Sequence, residues 1–354
     1  MKRILITGGA GFIGSSVALA IKAARPDAEV TVLDNLKRRG SELNLPRLRA
    51  SGVAFAHGDI RTLQDILAAG PVDLLIEASA EPTVMAGYHS SPDYVVHTNL
   101  TGALHCFEAA RQWNAGVLFL STSRIYPMDA LNALSLREDA TRFVPEDTQS
   151  VPGISLEGIA EDFPLAGVRS FYGATKLSAE FMLAEYGEAY GIPWLINRMG
   201  VIGGPWQMGK VDQGLAALWV ARHVFQKPLS YIGYGGSGKQ VRDFLHIDDL
   251  TDLLLLQIER LEAWSGQTFN VGGGGACSAS LVELTALCAD ASGITLDISA
   301  DPETRPADVP WFVTDHAAVT AATGWEPTRT LPVLIGDLTR WVTGHREQLE
   351  GILG

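Results

Sequence analysis

"TGGAGFIG", residues 7–14, follows the apolar run RILIT and opens a helical pattern. Gly8, Gly11 and Gly14 stand in G-x-x-G-x-x-G spacing. Glycine permits a tight turn and lets a pyrophosphate approach the backbone. The N-terminus of the following helix, at Phe12 and Ile13, then faces that charge. The alternative is a purely structural strand-to-helix turn, and a Gly-rich turn alone separates the two poorly. Here Asp34 closes a second apolar run, EVTVLD, 20 residues past Gly14. A carboxylate there accepts hydrogen bonds from both hydroxyls of an adenosine ribose and repels a 2′-phosphate. Lys37, Arg38 and Arg39 follow and would suit that phosphate, but with Asp34 in place the reading favours NAD over NADP.

Outward from the loop, short apolar runs alternate with helical patterns. Strand candidates are RILIT, EVTVLD, VAFAHGD, DLLIEAS, GVLFLST and PWLINR, with helices expected near 12–24, 62–69, 93–113 and 172–190. Runs that are apolar on both faces and separated by helices indicate a parallel sheet covered on both sides. The predicted fold is α/β, a Rossmann-type doubly wound parallel sheet with a smaller α/β substrate-binding domain. The expected division is 1–198 plus about 241–275 for the dinucleotide domain, and 199–240 with 276–354 for the other. Residues 128–170, rich in Pro, Gly, Asp and Glu, read as an ordered surface insertion.

A chain of 354 residues, 47% hydrophobic and 19% charged, can bury a large core. Its net charge of −13 argues against nucleic acid or an anionic membrane as the main partner. Cys106, Cys277 and Cys288 show no metal-ligand or disulfide spacing, and the eight histidines show none either, so no metal is expected. The absence of a signal-peptide pattern at Met1–Arg3 and the cysteine usage point to the cytoplasm. Gly233–Lys239 fits G-x-x-x-x-G-K, yet Gln240 stands where a P-loop needs Ser or Thr, so ATPase activity is not expected.

YGATK places Tyr172 and Lys176 four apart on one helical face. An ammonium beside a phenol stabilises the phenolate and makes tyrosine a usable base for a sugar hydroxyl. A Tyr-x-x-x-Lys pair also arises by chance. Together with the dinucleotide loop and the hydroxyl-bearing end of GVLFLST, chance is a poor account of it.

These residues resemble the extended short-chain dehydrogenase/reductases, the NAD(P)-dependent nucleotide-sugar enzymes. The resemblance runs through TGGAGFIG, DN, GDI, NLTGALHCFEAAR, LSTSRIY, YGATK and VRDFLHIDDL. It implies a Thr122–Tyr172–Lys176 triad. It places Asn35, Arg38, Asp59, Ile60 and Ala78–Ser79–Ala80 beside the cofactor, with Asn99 supporting an active-site water and the lysine. It implies substrate contacts from Glu81, Thr83, Ser123, Arg124, Gln207, Gln213, Gln240 and Arg242, with Arg305 and Asp308 in ETRPADV holding diphosphate and ribose. It also implies a homodimer joined through the helices near 93–113 and 172–190 as a four-helix bundle.

Within that family, 4,6-dehydratases carry an Asp-Glu pair after the triad threonine, and decarboxylases a glutamate at the second position. Ser123 and Arg124 stand there instead, which leaves an oxidise-and-reduce cycle: an epimerase or, less favoured, a net dehydrogenase. The CDP-tyvelose (CDP-paratose) 2-epimerases share a basic residue at the Arg124 position, DNL-x-R-x-G at Asp34–Gly40, GKQVRD, and DQG at 212–214. A guanidinium can orient diphosphate oxygens or sugar hydroxyls; the bland reading of Arg124 is a salt bridge at the sheet rim. The expected activity is therefore NAD-dependent epimerisation of a nucleotide hexose or deoxyhexose at C2. A 4-epimerase of the UDP-glucose/galactose type and a catalytically silent NAD(P)-binding sensor are the alternatives. Three departures bear on the sugar: Glu77 with SAEPT replaces a histidine- and glutamine-containing segment, Pro127 replaces a glycine, and Val201 replaces an asparagine.

Overall fold

The computed structural model describes residues 1–88, 90–209 and 213–353. It divides into two compact units, Met1–Ile125 with Ser170–Arg198 and Thr251–Phe269, and Tyr126–Arg169 with Met199–Leu250 and Asn270–Gly354.

The first unit is built on seven strands: β1 (Arg3–Thr7), β2 (Glu29–Asp34), β3 (Ala54–His57), β4 (Leu74–Glu77), β5 (Gly116–Thr122), β6 (Trp194–Met199) and β7 (Gln267–Val271). Their order is β7-β6-β5-β4-β1-β2-β3, and β1 pairs in parallel with both β2 and β4. The helices are α1 (Phe12–Ala24), α2 (Leu45–Ala50), α3 (Leu63–Ala68), α4 (Asp93–Val96), α5 (Gly102–Trp113), α6 (Phe171–Tyr190) and α7 (Ile247–Glu259). One π-helical turn, His97–Thr101, joins α4 to α5. Every residue of β5 is buried, as a central strand covered on both faces requires. One face packs Leu5, Leu33, Leu75, Val117 and Phe119 against Phe107, Ala110, Ala179 and Leu183. The Phe107 and Phe119 rings meet edge to face at 5.6 Å.

This order sends chain from β1 to opposite sides of the sheet, and the crevice at the strand ends between β1 and β4 is where such folds take ligands. Gly8, Glu77 and Ala78–Ala80 lie at that place. The strand and helix expectations for this unit match the observed elements within a few residues.

The second unit holds a small sheet of Val201–Gly203, Val241–His246, Ser278–Ser280 and Trp311–Phe312. Three helices, Leu215–Phe225, Leu281–Ser292 and Leu331–Gly344, pack on one another. Ser280 and Glu283 form a reciprocal capping box at the start of the second.

The division differs from the expected one at 126–169, 241–250 and 270–275. Residues 241–250 belong with the second unit, because Val241–His246 pairs with three strands of that unit. Residues 126–169 belong there too. Ile159 exchanges backbone hydrogen bonds with Val313 and Asp315 at 2.8 and 3.1 Å. Arg142 pairs with Glu283 and donates to the Ser278 carbonyl at 3.0 Å. Tyr126 is buried and donates to Asn270 Oδ1 at 2.7 Å.

Candidate active site

The glycine loop has the geometry that a dinucleotide needs. Gly8 sits at φ +63°, and a Cβ there would stand 2.7 Å from the Ala78 carbonyl oxygen. Gly11 is the N-cap of α1 and provides no side-chain cap, and the first turn of α1 contains no acidic residue. The first amides, at Phe12 and Ile13, are therefore left for an anion. Gly14 is buried in α1, where a Cβ would collide with the Gly8 carbonyl. A pyrophosphate fits this cradle.

Asp34 ends β2 and is wired to the loop: its carboxylate accepts from the Ala10 amide at 3.1 Å and the Leu36 amide at 2.8 Å. Burial pushes its carboxyl above the usual value of 3.8, against these amide bonds. Each oxygen keeps a lone pair for a ribose hydroxyl. Asn35 donates to Asp59 at 2.9 Å, and Asp59 is also gripped by Arg61 at 2.7 Å, which holds its carboxyl far below the usual range. Arg61 did not figure among the expected residues; its position two residues past Asp59 in GDIR is the only sequence signal. Ile60 is buried, and its carbonyl bonds His105 Nδ1 at 2.9 Å. Arg38 is half-buried, and burial lowers its pKa while the Glu81 carboxylate opposes that.

Two of the three expected catalytic side chains, Thr122 and Tyr172, meet at the start of α6. Ser170 caps the helix by accepting from the Gly173 amide at 3.2 Å, which fixes the turn that carries Tyr172. Thr122, at the end of β5, hydrogen-bonds the Tyr172 phenol. The Arg124 amide donates to Thr122 Oγ1 at 3.2 Å, so the short helical turn Ser123–Ile125 orients that hydroxyl. Arg124 is also close enough to act on Tyr172 electrostatically, as are Glu77 and Glu81.

Tyr172 departs from the expectation of a phenol shifted toward neutrality. Burial raises its pKa above 10.0; Thr122 and Arg124 pull it down, and Glu77 and Glu81 push it up. Lys176 is not a free cation beside the phenol. Its Nζ lies 3.1 Å from Glu77 Oε2, with both side chains almost wholly buried, and 3.9 Å from the Phe119 ring centroid.

Asn99 holds the segment that follows β4. Buried within the π-turn, it accepts from the Glu81 amide at 2.7 Å and donates to the Glu81 carbonyl at 3.1 Å. It thus clamps the 78–83 segment. Glu81 Oε1 accepts from the Thr83 amide at 3.1 Å, closing the turn itself, and Ser79 donates its amide to Glu77 at 3.0 Å.

The remaining candidates lie in the second unit. Arg242 donates to Asp308 Oδ1 at 2.7 Å and to the Val309 carbonyl at 2.8 Å, so the structure brings these two expected residues together. Arg305 is joined to the same turn through its carbonyl, which accepts from the Asp308 amide at 3.2 Å. Gln207 donates to the Ile202 carbonyl and Gln240 to the Ile232 carbonyl, and the side-chain oxygen of each is buried without a partner. Gln213 is half-buried at the foot of the helix Leu215–Phe225, whereas Asp212 of the DQG stretch lies outside the described residues. Among the described residues, no group of three or more His, Cys, Asp or Glu is placed to hold a metal ion, and no helix is long and apolar enough to cross a membrane.

Residues 4–272 match the model of the NAD dependent epimerase/dehydratase family. The chain belongs to that family, and its cofactor is NAD. It is 30% identical to the CDP-paratose 2-epimerase of Salmonella typhi over 92% of this chain and 94% of that one. Over 98% of both chains it is 26% identical to a UDP-glucose 4-epimerase of Neisseria meningitidis serogroup A. The solved UDP-glucose 4-epimerase of Thermus thermophilus, in complex with NAD, superposes with a TM-score of 0.76 at 27% identity, covering 97% of this chain and 99% of that one.

Proposed function

We propose that this protein is a nucleotide-sugar epimerase acting at C2, with a substrate of the CDP-paratose/CDP-tyvelose type. The observation that carries the reading is Tyr172 bonded to Thr122 with Ser123 and Arg124 next in the chain. The Thr122 hydroxyl beside the Tyr172 phenol supports a base at that position, and Ser123 and Arg124 supply no carboxylate to eliminate water. The similarity to a CDP-paratose 2-epimerase supports C2; the similarity to UDP-glucose 4-epimerases keeps C4 as the second reading.

The Gly8–Gly14 cradle, Asp34 and the lysine of the triad would hold the cofactor. The chemistry that NAD⁺ would supply there is hydride acceptance from the sugar carbon and hydride return to its other face. Tyr172, as phenolate, takes the hydroxyl proton and gives it back to the same oxygen, so no net oxidant or proton is consumed. Thr122 donates to or accepts from that oxygen as its charge changes. Arg124 orients the sugar through hydroxyl or diphosphate oxygens. Arg242, Arg305 and Asp308 are the candidates for the nucleotide diphosphate and ribose.

The three buried cysteines, all free thiols, fit a reducing cytoplasm. A homodimer through α5 and α6 is supported by the exposed Phe181, Met182 and Tyr190 on α6.

The test is NMR of the purified protein with CDP-paratose, CDP-glucose and UDP-glucose in separate tubes. Inversion at C2 without added cofactor is expected. Inversion confined to C4 of UDP-glucose would replace the reading with the second one.

A further inference from the structure

Glu77 is a carboxylate that the chemistry above does not use, at the place in the sheet where the ligand crevice opens. It ends β4 in register with Thr7 of β1 on one side and Phe119 of β5 on the other. Its two oxygens are both engaged, Oε2 with the Lys176 ammonium at 3.1 Å and Oε1 with the Ser79 amide at 3.0 Å. An acidic residue in the run LLIEAS costs desolvation, so its retention beside a triad lysine asks for a reason.

We propose that Glu77 is a positioning residue that clamps the Lys176 ammonium and tunes the proton affinity of Tyr172. This rests on the reading of Tyr172 as the base. A lone ammonium one turn from a phenol favours phenolate; an ammonium matched by a carboxylate at contact distance forms a nearly neutral pair and loses most of that pull. The groups acting on Tyr172 are Thr122 and Arg124 from the end of β5, Glu81 from the 78–83 segment and Glu77 from β4, and Glu77 also holds Lys176, one turn along α6 from the phenol. Those facing the pair are Cys106 from α5, close to both charges, and Thr7 from β1. Glu180, one turn beyond Lys176, is tied to Ser121 and Arg198. Burial pushes the Glu77 carboxyl up, with Lys176 opposing.

A merely structural ion pair would affect stability and leave the titration of Tyr172 where it was. The test is therefore a tyrosinate absorbance titration of the purified protein, read as wild type minus Tyr172→Phe. The same difference is then taken in a Glu77→Gln background. We expect the Tyr172 midpoint to fall by about one pH unit or more once the carboxylate is gone. A midpoint that does not move overturns the proposal.

Should Glu77→Gln fail to fold, Glu77→His carries the same test. Histidine is neutral above its ordinary range of about 6.5, so it too removes the negative charge from this position. The same fall is expected, and its absence is equally fatal. The titration needs no substrate. A shifted midpoint in a protein that turns over no nucleotide sugar would uphold the clamp and overturn the epimerase reading.

Discussion

As the proposed base, Tyr172 must lose its phenolic proton, and the burial of that phenol works against the loss. Thr122 and Arg124 are the two groups that lower its pKa, so the base is made by the end of β5 as much as by its own helix. Replacing Tyr172 with Phe should cut turnover by about 10²–10⁴-fold, the usual range for a general base, with NAD binding preserved by calorimetry. Removing Arg124 as Arg124→Met takes away a cation that favours the phenolate. The acid limb of kcat/KM should then move to higher pH, the opposite direction to Glu77→Gln. An unmoved limb would return Arg124 to the bland role of a rim salt bridge.

At the scale of elements, the β1–α1 turn and the 126–169 segment make different demands. Gly8→Ala places a methyl against the Ala78 carbonyl at a positive φ, so the turn must shift. Loss of the NAD-induced rise in melting temperature is the expected result. Arg142 joins the 126–169 segment to the helix Leu281–Ser292. Burial raises the Glu283 pKa, but Arg142, Thr141 and the Ser280 amide outweigh that and bring it down to about 2. A depressed carboxylate contributes stability that is present above its unfolded value and lost as pH falls through the folded one. The melting-temperature gap between wild type and Arg142→Met should therefore be full above pH 4.5 and shrink toward pH 2. A gap independent of pH would show that the ion pair does not hold the segment.

Legibility follows the same scale. The glycine turn, the doubly buried strands and the Tyr-x-x-x-Lys spacing are local patterns, and each matches its observed place. Contacts between distant residues left no local trace. Glu77 and Lys176 are 99 positions apart, and Arg142 and Glu283 are 141 apart, so neither pair nor the allegiance of 126–169 could be read from periodicity. Glu77 did leave one mark, a charge at the end of an otherwise apolar run, but its meaning depends on a helix that arrives much later in the chain. The motif marks Asn99, but its two bonds to the Glu81 backbone depend on a π-turn that has no sequence signature.

For the molecule as a whole, the exposed Phe181, Met182 and Tyr190 on α6 are the surface that a second copy would cover. Sedimentation velocity should give twice the chain mass, and Phe181→Glu should give the monomer; a wild-type monomer would remove the dimer from the account. The proposed reaction is a hydride cycle at C2 in which Tyr172 is the base and NAD the hydride acceptor. The most direct measurement is proton NMR of the enzyme with CDP-paratose in D2O. We expect inversion at C2 with the original hydrogen retained on that carbon, because hydride would leave and return without meeting solvent. Deuterium at C2, or no inversion there, would contradict it.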